Sequence, residues 1–341
     1  MDITTVAVFD EECGMDINTI ARMAGVSRAT VSRYLNDGYV SSEKRRAIAR
    51  VIKETGYIPS RQAKQLRTGK TNLVGVIIPK INSASISRMV EGLTSQLNDS
   101  QYQILLANTD NDEKLEVDYL RLFAEKNHVD GVILVGTVLT SAHERAMDEL
   151  RVPLVVLGQD IEGRSCVYND DYHSIRDITA LALDHATKPA YIGVTERDLA
   201  AGRARHRGFL DACEEYGLEV SASAQLIADF TVESGYLSCE RLLESHPDVD
   251  TIICASDSIA FGAMSCLREY GRSIPDDVQV TGTGDSELTL VVTPTLTTVH
   301  HHYKTAGKEA ARMLVDAMGK TTRIPCEIRL GYEVLARGSI R

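Results

Sequence analysis

The chain has 341 residues, 43% of them hydrophobic and 25% charged, which suits two or three globular domains with full cores. No window approaches the roughly eighteen uninterrupted apolar residues of a membrane span, and no basic stretch leads into an apolar run at the N-terminus, so neither a membrane protein nor a secreted one is expected and the reading is cytoplasmic. The net charge of −11 is uneven: residues 16 to 70 carry twelve Lys or Arg against four Asp or Glu, which leaves −19 for the rest. A small basic head on an acidic body fits a head that meets a polyanion, although a solvated basic face has the same signature.

Residues 1–15, MDITTVAVFDEECGM, are acidic and aperiodic and are expected to be a disordered extension or a misassigned start, with Met15 as the alternative first residue. DINTIARMAG then predicts a short helix capped by Asp16 or Asn18 and ended at Gly25. Ser27 caps a second helix through about Leu35, whose Val31 and Leu35 pack on Ile20 and Ala24. A third helix over about 42–55 buries Ala47, Ile48, Val51 and Ile52 and stops at Gly56. Two short helices joined by a glycine turn, the second with a basic outer face of Arg28, Ala29, Ser32 and Arg33, form a helix-turn-helix over 16–59. Its second helix fits the major groove of B-DNA, where guanidinium groups donate to guanine and Ala29 leaves room for a base edge. Residues 60–71 read as a hinge: a turn or two of helix with Leu66 among Arg61, Lys64 and Arg67, too short to persist alone. On DNA, Leu66 would wedge between base steps while the cations meet phosphate; a flexible basic linker is the plain alternative.

ARMAGVSRATVSRYLN, followed by GYIPSRQAKQLRTGKTNLVGVIIP, resembles the head, hinge and first core strand of the lactose/galactose repressor (LacI/GalR) family, and the resemblance runs to about residue 335. It implies that Arg28, Ala29 and Arg33 choose bases, that Thr30, Ser32 and Asn36 hold the DNA backbone, that Ile17 and Ser27 also lie at the DNA, and that Leu66 is the minor-groove wedge.

Beyond the hinge, NLVGVIIP, YQILLAN, DGVILVG, PLVVLG, AYIGV, TIICAS and VQVTGTG read as buried parallel strands. Helical stretches at 85–99, 113–127, 141–150, 173–186, 201–216, 232–245, 257–270 and 304–318 alternate with them. This predicts an α/β body over 72–335, two Rossmann-like lobes as in periplasmic binding proteins, with crossings near 160–170 and 286–300. The lobes are expected at 72–168 with 299–335, and at 169–298. Ligands of such sheets sit beyond the strand carboxyl ends.

Arg203, Arg205, Phe230, Ser256, Asp257 and Asp285 fall at those ends, and a donor fork, an aromatic face and short polar acceptors are what a sugar needs. Capping is the plain reading of Asp257 and Asp285, and a surface base that of Arg203. The resemblance places Arg205 and Phe230 at effector-contacting positions, adds Asn82 and Asp160, and brings His301 and Tyr303 near the cleft. Ser256 and Gly284 depart from the usual family residues, and Gly158-Gln159-Asp160 replaces a hydroxyl-binding Asp near the fourth strand, which puts a galactoside or a purine in doubt. VTGTGDSE, VTPTLTTVHHHYKTAG and VVLGQD look more like the sucrose and trehalose repressor subgroup, so a disaccharide or its 6-phosphate is expected, the phosphate meeting Arg203 or Lys80. The seven cysteines show no Cys-x-x-Cys spacing and read as reduced thiols, and adjacent histidines at 300–302 point alternately, so neither metal nor cofactor is expected.

The resulting expectation is a homodimeric, DNA-binding transcriptional repressor with operator DNA and a sugar as partners and no membrane role. A transport-type sugar-binding protein would leave residues 16–70 unused, and a co-repressor-dependent or global regulator of the same family is the nearer alternative. No phosphate-binding glycine loop or catalytic constellation argues for an enzyme.

Overall fold

The computed structural model describes residues 15–57, 70–125, 129–320 and 324–341. They fall into two compact units, one up to Thr71 and one from Asn72 to Arg341.

In the first unit, α1 (Ile17–Met23), α2 (Arg28–Tyr34) and α3 (Ser42–Thr55) enclose a core of Ile20, Ala21, Val31, Val40, Ile48 and Val51. The Asp16 carboxylate accepts the Thr19 amide at 2.7 Å, and Ser27 Oγ accepts the Thr30 amide at 3.2 Å, so both helix starts are capped from within. Ala47 and Ile52, expected inside, are only half-buried because they flank the inward stripe of Ile48 and Val51.

The second unit is a pair of α/β lobes. The first sheet holds β1 (Leu73–Ile78), β2 (Gln103–Asn108), β3 (Gly131–Val135), β4 (Leu154–Leu157), β5 (Cys166–Asn169) and β11 (Glu327–Leu330), all parallel in the order β11-β5-β4-β3-β1-β2. Its helices are α4 (Ala84–Asp99), α5 (Glu113–Ala124), α6 (Ser141–Glu149) and α11 (Tyr303–Met318). Glycines let α4 and α11 meet backbone to backbone: a Cβ on Gly92 would stand 2.0 Å from the Lys304 carbonyl, and one on Gly307 2.0 Å from that of Met89. The second sheet holds β6 (Pro189–Gly193), β7 (Gln225–Ile227), β8 (Thr251–Cys254), β9 (Gln279–Thr283), β10 (Thr297–His301) and β12 (Tyr332–Leu335), ordered β12-β10-β9-β8-β6-β7, with β12 antiparallel to β10. Its helices are α7 (Asp171–Leu183), α8 (Arg205–Glu215), α9 (Val232–Ser245) and α10 (Asp257–Glu269).

The lobe boundaries differ from those expected. Residues 166–169 and 297–301 are strands, and β10 and β12 belong to the second sheet, whereas 299–335 was assigned whole to the first lobe. The chain therefore crosses between lobes three times: after Asn169, after His301, and at Gly331 between β11 and β12. Residues past 335 also belong to the second lobe, since Ser339 Oγ donates to the Val280 carbonyl and the Arg341 amide donates to Gln279 Oε1. These strands escaped the apolar-run criterion because TTVHH, EIRL and YEVL mix polar with apolar residues. The helix expected over 201–216 opens with a π-helical turn, Leu199–Ala204.

Candidate DNA-binding and effector sites

On the first unit, α2 presents Arg28, Ala29 and Arg33 to solvent, followed by exposed Asn36. Arg28 has no partner among the described residues, and Arg33 makes only a 3.4 Å bond to the Ala29 carbonyl, so both guanidinium groups are available. Ser27 is exposed but serves as the cap, and Ser32 is half-buried. Thr30, expected at the DNA backbone, is buried with its hydroxyl 2.9 Å from Ser27 Oγ: it braces the helix start. Ile17 is half-buried against the core, which orients α1. The Asn36 amide donates to the Ser32 carbonyl. Arg45 lies over the Tyr34 ring at 5.4 Å and donates to the Gly38 carbonyl, tying the loop after α2 to α3. Arg61, Lys64 and Leu66 lie outside the described residues.

In the second unit the most buried cationic candidate is Arg205, at the first position of α8. Its Nε donates to Asp171 Oδ1 at 2.7 Å, Nη2 lies 2.6 Å from the same oxygen, and Nη1 donates to the Ala255 carbonyl at 2.5 Å. Burial works against the guanidinium charge, but the Asp171 carboxylate outweighs it and the group stays protonated. Asp171 follows the first crossing and His301 precedes the second, so Arg205 binds at the place where the lobes are joined. His301 is fully buried, its Nε2 3.8 Å from Asp171 Oδ1 and its ring 6.5 Å from that of Tyr332 at the third crossing. Burial lowers its pKa to about 4, so it is neutral, and neither ring nitrogen has a partner among the described residues. Tyr303 is buried beside it, with the Arg88 guanidinium 5.0 Å from its ring centre.

The other candidates divide. Ser256 Oγ caps α10 by accepting the Ile259 amide at 3.3 Å. Asp257, buried, accepts Thr298 Oγ1 at 2.6 Å and the Ser286 amide at 2.7 Å, so it ties the start of α10 to β10 and to the loop after β9 rather than capping α10. Asp285 is held by Arg337 Nη2 at 2.6 Å and His300 Nδ1 at 2.8 Å; burial opposes its charge, yet these bonds keep its pKa below the usual range. Gly284 before it has φ +134°, which a side chain rarely adopts, and Arg88 donates to its carbonyl. Asn82 and Asp160 are exposed in the loops after β1 and β4, Arg203 is exposed on the π-helical turn ahead of α8, and Phe230 is 43% exposed in the loop after β7.

The sequence marks Gln159 only as part of a departure from the family run and gives no sign of the side chains that connect the lobes. Gln159, beside Asp160, is 3% exposed and donates through Nε2 to the Thr137 carbonyl at 3.0 Å and to Asp198 Oδ1 at 2.8 Å. Asp198 lies in the second lobe and also accepts the Ala200 and Ala201 amides, capping the π turn. Arg88 of α4 reaches the Gly284 and Asp285 carbonyls, and Arg197 pairs with Glu113 at 2.8 Å. Asp198 had a legible signal as an acid ahead of the small-residue run LAAGRA; a single Gln in VVLGQD had none.

A periplasmic binding protein-like domain profile matches residues 178–340, and the profile of bacterial regulatory proteins, lacI family, matches residues 16–60. The chain is 30% identical to the sucrose operon repressor of Staphylococcus xylosus over 86% of its own length and 91% of that protein. It is 32% identical to the HTH-type transcriptional regulator RegA of Clostridium saccharobutylicum, covering 95% and 98%. Among solved structures, a CelR–cellobiose complex aligns with a TM-score of 0.74 at 30% identity, covering 95% of this chain and 99% of that one. The lac repressor dimer bound to operator shares the fold at a TM-score of 0.84 and 21% identity, over 95% and 98%.

Proposed function

The chain belongs to the LacI family of bacterial regulatory proteins, and from that membership we propose that it represses a carbohydrate-utilisation operon and leaves its palindromic operator when a sugar enters the cleft between its lobes. Two heads one helical turn apart on duplex DNA require a homodimer, and the site of action is cytoplasmic. Arg28, Ala29 and Arg33 read bases in the major groove, with Ser32 and Asn36 fixing the helix on the backbone, Ser27, Thr30 and Ile17 holding the helix start and α1 in place for that contact, and Arg61, Lys64 and Leu66 adding hinge contacts. The effector is a disaccharide of the sucrose or trehalose kind, or its 6-phosphate; relatives that are a sucrose operon repressor and a cellobiose complex support that size class. Asn82, Asp160, Arg203, Arg205, Phe230, Ser256, Asp285, His301 and Tyr303 form or brace its site, and the protein performs no catalysis.

The observation that carries the reading is the junction of Arg205 with Asp171 and His301. A ligand that touches the Arg205 fork pulls on both crossings and so biases the angle between lobes, and hence the spacing of the heads. Fluorescence anisotropy on a labelled palindromic duplex tests it: binding should weaken with rising salt and change on adding sucrose, trehalose, cellobiose or a 6-phosphate. Binding unmoved by every sugar removes the effector assignment, and no salt-sensitive duplex binding removes the repressor.

A further inference from the structure

We infer that Gln159 and Asp198 form a latch that holds the lobes together, and that cleft occupancy reaches the crossings through it. The inference rests on the effector reading above but is read out without any sugar. Gln159 sits at the carboxyl end of β4 in the first lobe and Asp198 at the entry to the π turn in the second, and their 2.8 Å bond is buried at both ends. A buried amide–carboxylate bond is costly to break unless water or another polar group replaces each partner, so it favours one lobe arrangement over others.

Both partners are held rigidly. The Gln159 amide is also fixed to the Thr137 carbonyl, and its stem lies against Gly136, where a Cβ would come within 3.2 Å of Gln159 Cγ. Asp198 accepts two backbone amides of the turn, and that turn packs so tightly on the preceding loop that a Cβ at Gly202 would meet the Thr195 carbonyl at 2.0 Å. The turn runs directly into Arg205, whose fork grips Asp171 at the first crossing, 3.8 Å from His301 at the second. Displacement of Gln159 relative to Asp198 is thus transmitted over seven residues of tightly packed backbone to the hinge. A ligand hydroxyl that competes for Asp198 or for the Gln159 amide would open the latch; one that bridges them would tighten it.

The test is hydrogen–deuterium exchange of the full chain, without added sugar, on Gln159→Leu and Gln159→Glu. The first removes the donor and keeps the volume; the second sets a carboxylate against Asp198. The decisive segment is 284–290, which touches Arg88 across the cleft but not Gln159. Loss of the latch should speed its exchange on the order of tenfold, the factor one net hydrogen bond supplies. A merely local role would change 195–204 and leave 284–290 as in the wild type, and that result in the Leu variant overturns the inference whether or not the Glu variant folds. Failure of the effector reading would look different: wild-type operator binding indifferent to every sugar, with the exchange result unaffected.

Discussion

Glu116 of α5 allows a sharp test of the physics inside the first lobe. Its carboxyl is 2% exposed and faces His143 of α6, with Oε1 and Nε2 3.7 Å apart, beyond hydrogen-bonding distance. His143 Nδ1 accepts the Thr140 amide at 3.2 Å, so the ring proton sits on Nε2. Burial, with help from Glu113, raises the Glu116 pKa to about 8, and burial lowers that of His143; the two are therefore a neutral pair rather than an ion pair. A carboxyl whose folded pKa lies above its unfolded one must release a proton on unfolding at neutral pH. Its contribution to stability is intact below about pH 4.5 and is lost as pH climbs toward 8. At about 1.4 kcal/mol per pH unit, the penalty between pH 5 and 8 is on the order of 3–4 kcal/mol. Glu116→Gln keeps the shape and an acceptor for His143 without the titration. Urea unfolding of wild type and variant at pH 5 and pH 8 is the assay: the stabilities should nearly coincide at pH 5 and diverge at pH 8, with the variant more stable. Equal differences at the two pH values would show that Glu116 does not titrate in this range and would refute the reasoning.

Arg28→Ala should weaken binding to the preferred operator by about 1–3 kcal/mol while affecting scrambled duplex much less, measured by anisotropy against both. Asp171→Ala leaves the Arg205 guanidinium buried without its carboxylate and should cost roughly 3–5 kcal/mol of stability of the second unit, seen as a lower thermal midpoint. Ile48→Ala empties a fully buried position of the first unit and should cost about 2–5 kcal/mol there, abolishing operator binding at 37 °C while the midpoint of the second unit stays put.

The helices of the first unit were legible almost to the residue because their boundaries are chemical: Asp16 and Ser27 accept free amides, and Gly56 takes the left-handed conformation that ends α3. The central strands were equally clear, since sheets covered on both faces leave runs such as LVGVII and GVILV. What stayed hidden is long-range. Nothing in TTVHH announces that it completes the second sheet, and nothing in EIRL or YEVL that neighbouring strands go to different lobes. At the candidate site, residue type drew attention to Arg205 and Asp285 and the family resemblance to Asp160, but neither reports occupancy. Arg205 and Asp285 already have charged partners, Asp160 faces solvent, and the unremarkable Gln159 next door makes the bond between lobes.

Three passages of chain between the lobes have a consequence for biogenesis. Residues 297–341 supply β10 and β12 to one lobe and α11 and β11 to the other. During synthesis neither lobe can therefore mature while its ribosome is still making that segment, and each waits with an unfinished edge that another nascent chain can pair with. Codon changes or deletions that slow or remove this stretch should appear as aggregation of the whole protein rather than as the loss of one lobe.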